Sequence, residues 1–281
     1  MSKRSDVVVD GVRLSILSEG QGTQGLFLLH GIGFGADSFL RNMQPPAAQI
    51  RVVAVDLPGH GFSDAMDYGG KPPQLVMAGL INRLADLLGL KSWSVAGSSY
   101  GAIVASLAWF DRPAQVKSLI LIGSGSVFHA TEQQKKTLAA SVANGRTAMI
   151  NPTLESCRKR AGNIVFDPVV VPEEMVKSQL EAYRLPDRLA AYENTVNETV
   201  RTMEMPGARV LDQLEAMRVP TLVITGRNDI RSSWEKHVEG AARMPDAELN
   251  IYEDCGHIPY LEHADRFNAD MADFLRRHPL G

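Results

Sequence analysis

The chain has 281 residues, with 29 basic against 32 acidic side chains (net charge −3) and 44% apolar residues. That length fits one large α/β domain with room for a sub-domain and the burial of about three quarters of the unfolded surface. The balanced charge excludes the basic excess of a nucleic-acid binder, no run of about 18 uncharged apolar residues is present to span a membrane, and the two cysteines do not make a disulfide framework.

The opening Met1-Ser2-Lys3-Arg4-Ser5-Asp6 leads into a short amphipathic strand and lacks a signal-peptide apolar region. With Cys157 and Cys255 suited to a reducing compartment, a cytoplasmic location is expected. Strand-like runs then follow at 13–18, 26–29, 51–56, 93–96, 118–122, 221–225 and 248–252, with helix-like stretches between them. Leu80, Leu84, Leu87 and Leu88 form one apolar helical stripe, and Phe267, Met271, Phe274 and Leu275 another. His237 and His278 read as surface residues, and His263 as the start of the last helix. Strands alternating with helices predict an α/β fold with a mostly parallel, doubly wound sheet, in which ligands bind at the carboxyl ends of the strands. One segment breaks the alternation. Residues 126–208 carry four helix-like pieces (132–144, 153–160, 172–183 and 189–202), too much for a loop in a compact domain. The division expected is a core of 1–125 and 209–281 with a helical cap over 126–208. Met149, Ile150, Ile164, Val165, Phe166, Val169 and Met175 are its candidate pocket residues, although for any single one packing of the cap onto the core is the favoured reading.

The most informative motif is Gly97-Ser98-Ser99-Tyr100-Gly101, a G-x-S-x-G pentapeptide between an apolar strand and an apolar helix. A serine on so sharp a turn is pushed out of the sheet with its Oγ exposed, and the close backbone approach calls for glycine on either side. A serine hydroxyl is a poor nucleophile at neutral pH and needs a base within hydrogen-bond reach. His257, in the loop after 248–252, supplies an imidazole that titrates near neutrality. Asp229, in the loop after 221–225, supplies a carboxylate to orient it and stabilise its cation. Taken alone, Asp229 is also good turn chemistry beside Asn228. Asp254 is the nearest rival acid, though only three residues from His257, and Ser98 is the rival nucleophile at the first x of the motif. An oxyanion site is expected from the Tyr100 N–H and from the loop after 26–29, with the Ile32 N–H first and Gly33 second. His30 reads as a hydrogen-bonded brace for that loop, and Cys255 as packing. No metal-ligand spacing and no phosphate-binding loop occurs, so neither a metal nor another cofactor is expected.

His30-Gly31, the run from Asp56 through Leu57-Pro58-Gly59-His60-Gly61-Phe62 to Ser63, the Ser99 turn, Gly226-Arg227-Asn228-Asp229 and Gly256-His257 together resemble the α/β-hydrolase superfamily over nearly the whole chain. The resemblance implies a parallel sheet flanked by helices, with a Ser-His-Asp triad at its carboxyl edge in the chain order found here. Within the cap, Asn163-Ile164-Val165-Phe166-Asp167-Pro168 and the tail that begins His257-Ile258-Pro259-Tyr260 are similar to meta-cleavage-product hydrolases, which hydrolyse a carbon–carbon bond in a vinylogous diketo acid. That subfamily usually has Asn where Ser98 stands, Trp where Ile258 stands, and a carboxylate-binding Arg where Gln179 stands. Loss of that Arg would remove a charge-assisted partner for a dianionic substrate. Ser98, Phe166, Gln179 and Ile258 are therefore the candidate substrate-binding positions.

Three functions fit this reading. One is a capped serine hydrolase acting on a small, mostly apolar ester or C–C-cleavable diketone. The second is an acyl transferase or thioesterase of a secondary-metabolite pathway, and the third a non-enzymatic ligand receptor on the same scaffold. Epoxide hydrolases and haloalkane dehalogenases are disfavoured because their nucleophile position normally holds Asp. The expected partner is a small-molecule substrate, with no nucleic acid and no membrane; a homo-oligomer is compatible with the sequence.

Overall fold

The computed structural model describes residues 3–281; Met1 and Ser2, at the head of the opening segment, lie outside the described residues. Eight strands form one sheet in the order β1-β2-β4-β3-β5-β6-β7-β8. β1 (Lys3–Val9) and β2 (Val12–Glu19) form an antiparallel hairpin. β2 also pairs antiparallel with β4 (Ile50–Val55). From β4 the sheet runs parallel through β3 (Gln24–Leu29), β5 (Ser92–Ser98), β6 (Val116–Ile122), β7 (Thr221–Gly226) and β8 (Ala247–Tyr252).

The patterning explains the arrangement. β5 is buried at every position and β3 at nearly every one, as expected of parallel strands covered on both faces, whereas β1 is largely exposed at the sheet edge. α1 (Pro73–Leu87) and α2 (Tyr100–Asp111) pack on each other, and α2 lies against β5 and β6. α1 turns Met77, Leu80, Ile81 and Leu84 inward, while Leu87 is exposed, so the apolar stripe is narrower than its leucines predict. After β3 the chain first adds β4 on one side and later places β5 on the other. The strand order therefore reverses beside β3, where open α/β sheets leave a crevice for ligands.

Between β6 and β7 the chain inserts five helices: α3 (Gly125–Phe128), α4 (Thr131–Ile150), α5 (Leu154–Gly162), α6 (Glu173–Tyr183) and α7 (Arg188–Thr202). α4 packs on α5 and α7, and α5 on α6, so the insertion has its own internal contacts. The fold closes with α8 (Trp234–Ala241), α9 (Pro259–Glu262) and α10 (Ala264–Arg277). His263 stands at the N-cap position of α10, the start of the last helix, with its side chain bonded to the Asp254 carbonyl and not to the helix end. Among the described residues no helix is long and apolar enough to cross a membrane, and no cluster of three metal-ligating side chains occurs.

His237 is a correction. It is fully buried rather than on the surface, because α8 packs between β7, β8 and α3 and turns this ring inward against Phe128. Its Nε2 accepts the Ser124 N–H at 2.7 Å while Nδ1 donates to the Ser233 carbonyl at 2.8 Å. His278 is half-buried against Phe274. Two more buried imidazoles, His30 and His60, lie 5.3 Å apart below the sheet edge. Burial lowers the pKa of all three, His237 to about 4.

These histidines have a stability consequence. Each is neutral when folded but takes up a proton near pH 6.5 when unfolded, so below that pH the unfolded chain binds more protons. The stability present above pH 6.5 is therefore lost as pH falls. His237 alone should remove about 2 kcal/mol between pH 7.5 and pH 5. Urea unfolding at the two pH values should show a lower midpoint at pH 5; equal midpoints would contradict the assignment.

Candidate active site

Ser99 follows the last residue of β5 and has φ 51° and ψ −112°. A non-glycine residue there stores about 1–3 kcal/mol of backbone strain and persists only where its surroundings hold it. They do so by close approach. A Cβ on Gly97 would sit 2.2 Å from the Gly101 carbonyl oxygen, and one on Gly101 would sit 2.3 Å from that of Leu29. Either contact is impossible, so both outer glycines of the pentapeptide are needed for the turn. The Ser99 N–H is bonded to the Ile122 carbonyl at 2.8 Å, which fixes the turn to β6.

Sheet register brings three loops to this edge. Ser98 pairs with Ile122, Ile122 with Ile224, and Gly226 with Tyr252. The segments that follow β5, β7 and β8 therefore start side by side, and Asp229 and His257 lie in two of them. Asp229 Oδ2 is 2.8 Å from His257 Nδ1, and its side chain is wholly buried. The other oxygen, Oδ1, accepts the backbone N–H groups of Arg231 (2.7 Å) and Ser232 (3.1 Å). With both oxygens occupied, the carboxylate has a fixed direction, and Nδ1 is the protonated nitrogen of the neutral ring. Asp254, the rival acid, is exposed.

Ser99 and His257 line one space above the sheet edge, which divides into two chambers sharing Ile32, Ser99, Ser141, Arg231 and His257. The first is walled by Tyr100, Ile103, Leu138 and Met203 and is mostly apolar. The second is walled by Phe34, Ser98, Asn144, Arg160, Ile258 and Tyr260 and is more polar. The Ile32 N–H has no protein acceptor among the described residues. Tyr100 opens α2, so its N–H has no intrahelical acceptor. Gly33, the second choice for this role, has φ 74°. His30 is locked by accepting the Leu57 N–H at Nε2 (3.0 Å) and donating from Nδ1 to the Gly31 carbonyl (2.8 Å). The Tyr260 phenol, beside Ser98, is pushed up to about 12 by burial.

Two candidate substrate-binding positions lie elsewhere. Phe166 is half-exposed and Val169 is turned outward, because the chain from α5 to α6 presents them to solvent, and Ile150 is exposed at the C-terminus of α4. Gln179 lines a separate cleft with Phe34, Asp37 and Tyr183, away from Ser99. Of the proposed apolar cap residues only Ile164 borders either chamber around Ser99, the second one.

Sequence reasoning missed Glu262. One of its oxygens accepts the N–H groups of Phe166 (2.7 Å) and Gly256 (2.8 Å), and the other accepts that of Ile258 (3.1 Å). The His257 N–H itself donates to the Ile164 carbonyl at 2.8 Å. The histidine loop is thus clamped on both sides, with the helical insertion as part of the clamp. A signal existed: Glu262 stands four residues after Ile258 in a short helix starting at Pro259, within reach of the helix's free N–H groups.

Residues 26–270 match the Alpha/beta hydrolase family. A 2-hydroxy-6-oxononadienedioate/2-hydroxy-6-oxononatrienedioate hydrolase of Burkholderia vietnamiensis (strain G4 / LMG 22486) is 32% identical, over 98% of this chain and 96% of its own. Among solved structures, a meta-cleavage product hydrolase (CumD) superposes with a TM-score of 0.79 at 21% identity, covering 97% of this chain and 98% of that one. A putative lipase of Acinetobacter baumannii AYE superposes with a TM-score of 0.82 at 21% identity, covering 98% and 91%.

Replacing Glu262 by Gln trades one acceptor oxygen for a donor facing backbone N–H groups. The variant should lose about 1–3 kcal/mol of stability. Urea denaturation tests this, and an unchanged midpoint would show that the three contacts carry no weight.

Proposed function

The chain belongs to the α/β-hydrolase family, and from that premise we propose that it is a serine hydrolase in which Ser99 is the nucleophile, His257 the base and Asp229 the orienting acid. Its substrate is a small, mostly apolar carbonyl compound. One observation carries the reading: a strained, outward-turned serine shares a cavity with an imidazole whose far nitrogen is held by a buried carboxylate.

The chemistry follows from the hydrogen bonds. With Nδ1–H committed to Asp229, Nε2 carries the lone pair and can take the Ser99 proton as Oγ attacks the carbonyl carbon. Ser99 Oγ and His257 Nε2 are not hydrogen-bonded to one another among the described residues; such bonds commonly tighten only around substrate. The N–H groups of Tyr100 and Ile32 receive the oxyanion. Removing one donor of this kind costs roughly 3–4 kcal/mol. The imidazolium then protonates the departing group, and water repeats the sequence to release the acid. Helices α4 and α7 of the insertion supply Leu138, Ser141 and Thr199 to the cavity wall, so the insertion acts as a cap that excludes water.

Similarity to meta-cleavage product hydrolases supports a second bond type, the C–C bond of a diketo acid, with Ser99 acting after proton transfer within the substrate. The two bond types are separated by assaying the purified protein against aryl esters of rising chain length beside a chromogenic ring-cleavage product.

Ser99→Ala should lower kcat for aryl esters by about 10⁴-fold or more, and Asp229→Asn, which favours the wrong imidazole tautomer, by about 10⁴-fold. Stopped-flow and steady-state assays read both; wild-type turnover in either variant would reject the assigned role.

A further inference from the structure

We infer that Ser126 is a positioning residue for the oxyanion site: its hydroxyl holds the peptide that joins Ser99 to Tyr100, and through it the helical insertion reaches the reacting centre. The inference deepens the hydrolase reading and rests on it, with Ser99 as nucleophile and the Tyr100 N–H as an oxyanion donor.

Ser126 lies in α3, the first turn of the insertion after β6, and borders the cavity over Ser99. Its Oγ donates a hydrogen bond to the Ser99 carbonyl oxygen. The same oxygen accepts the Ala102 N–H at 3.0 Å. A carbonyl oxygen has two lone pairs, and each of these donors takes one. The peptide group is planar, so holding its C=O fixes the direction of its N–H. That N–H belongs to Tyr100. The carbonyl direction also sets ψ of Ser99, so the Ser126 bond acts on a torsion of the strained residue itself. A hydroxyl donating to the carbonyl polarises the amide as well, which strengthens its N–H as a donor. The hydroxyl proton of Ser126 is committed to the backbone, so the residue acts through the peptide and not on the substrate.

Ser126 is itself held. Gln134, buried in α4, donates from Nε2 to the carbonyls of Ser126 (2.8 Å) and His129 (2.9 Å). On the other side the Ser124 N–H donates to the buried His237. The α3 turn is therefore tied to α4 at one end and to α8 at the other. Gly125 permits the packing between them, because a Cβ there would stand 2.9 Å from Ser232 Oγ and 3.0 Å from the His129 ring. A continuous set of contacts thus runs from α4 through Gln134 and Ser126 to the Ser99 carbonyl and the Tyr100 N–H. The insertion bears on the aim of the oxyanion donor as well as on the exclusion of water.

The test compares Ser126→Ala and Ser126→Thr with the wild-type protein on p-nitrophenyl butyrate. Ser126→Ala should lower kcat about tenfold, less than outright loss of an oxyanion donor, and change KM by less than about twofold. Ser126→Thr, which keeps a hydroxyl, should restore most of the rate. A phenylalkyl trifluoromethyl ketone provides a second readout: Ser99 Oγ adds to its carbonyl carbon, the proton passes to His257, and the oxygen becomes an oxyanion. This ketone should inhibit Ser126→Ala about tenfold more weakly than wild type, while the matching methyl ketone inhibits both equally. An unchanged kcat in Ser126→Ala, or equal losses for the two ketones, would overturn the role. So would a loss of rate in Ser126→Ala that Ser126→Thr does not repair, with a lowered urea midpoint in both, since Ser126 would then serve packing alone. Normal wild-type turnover beside an indifferent Ser126→Ala variant removes only this inference. A wild-type protein that cleaves no ester or diketone removes the hydrolase reading, and the inference falls with it.

Discussion

The site depends on one backbone constraint, the left-handed conformation forced on Ser99 by the contact of β5 with the start of α2. Gly97 and Gly101 allow that contact, and no larger residue fits at either place. The strain lifts the hydroxyl above the strand ends and leaves the Tyr100 N–H without a helical partner. Everything else at this edge is arranged around a hydroxyl that cannot retreat into the sheet. Sheet register delivers the loops after β7 and β8 beside it, and the reversal of strand order delivers the Ile32 loop from the other side.

A second constraint is shared between core and insertion. His257 is held through its ring by Asp229 and through its backbone by the Ile164 carbonyl, while Glu262 ties Phe166 to Gly256 and Ile258. The helical segment is therefore not an independent roof, since part of it fixes the imidazole. Arg160, from the same segment, braces the carbonyl of Ile32 and so the loop opposite.

The legible parts were those that leave a backbone trace. The strands announced themselves because buried parallel strands need continuous apolar runs, and the G-x-S-x-G turn because only glycine fits beside it. Asp229 and His257 could be placed because each follows a strand directly. The helical insertion was legible as a break in rhythm, but the directions of its side chains were not. Phe166 and Val169 are apolar yet exposed, and Gln179 was positioned by resemblance and lies in another cleft. Arg160 lay hidden because a charge on a helix usually signals a solvated face. The clue was local: Cys157 and Ala161, three residues before it and one after, share its buried face. His237 escaped for the same reason, being polar on a helix whose inward face only the tertiary packing reveals.

The most direct measurement of the central claim is to react the folded protein with a fluorophosphonate and locate the adduct by mass spectrometry of its peptides. A strained serine activated by His257 predicts a single adduct, on Ser99. An adduct on another serine, or an unmodified protein under conditions that label other serine hydrolases, would contradict the account.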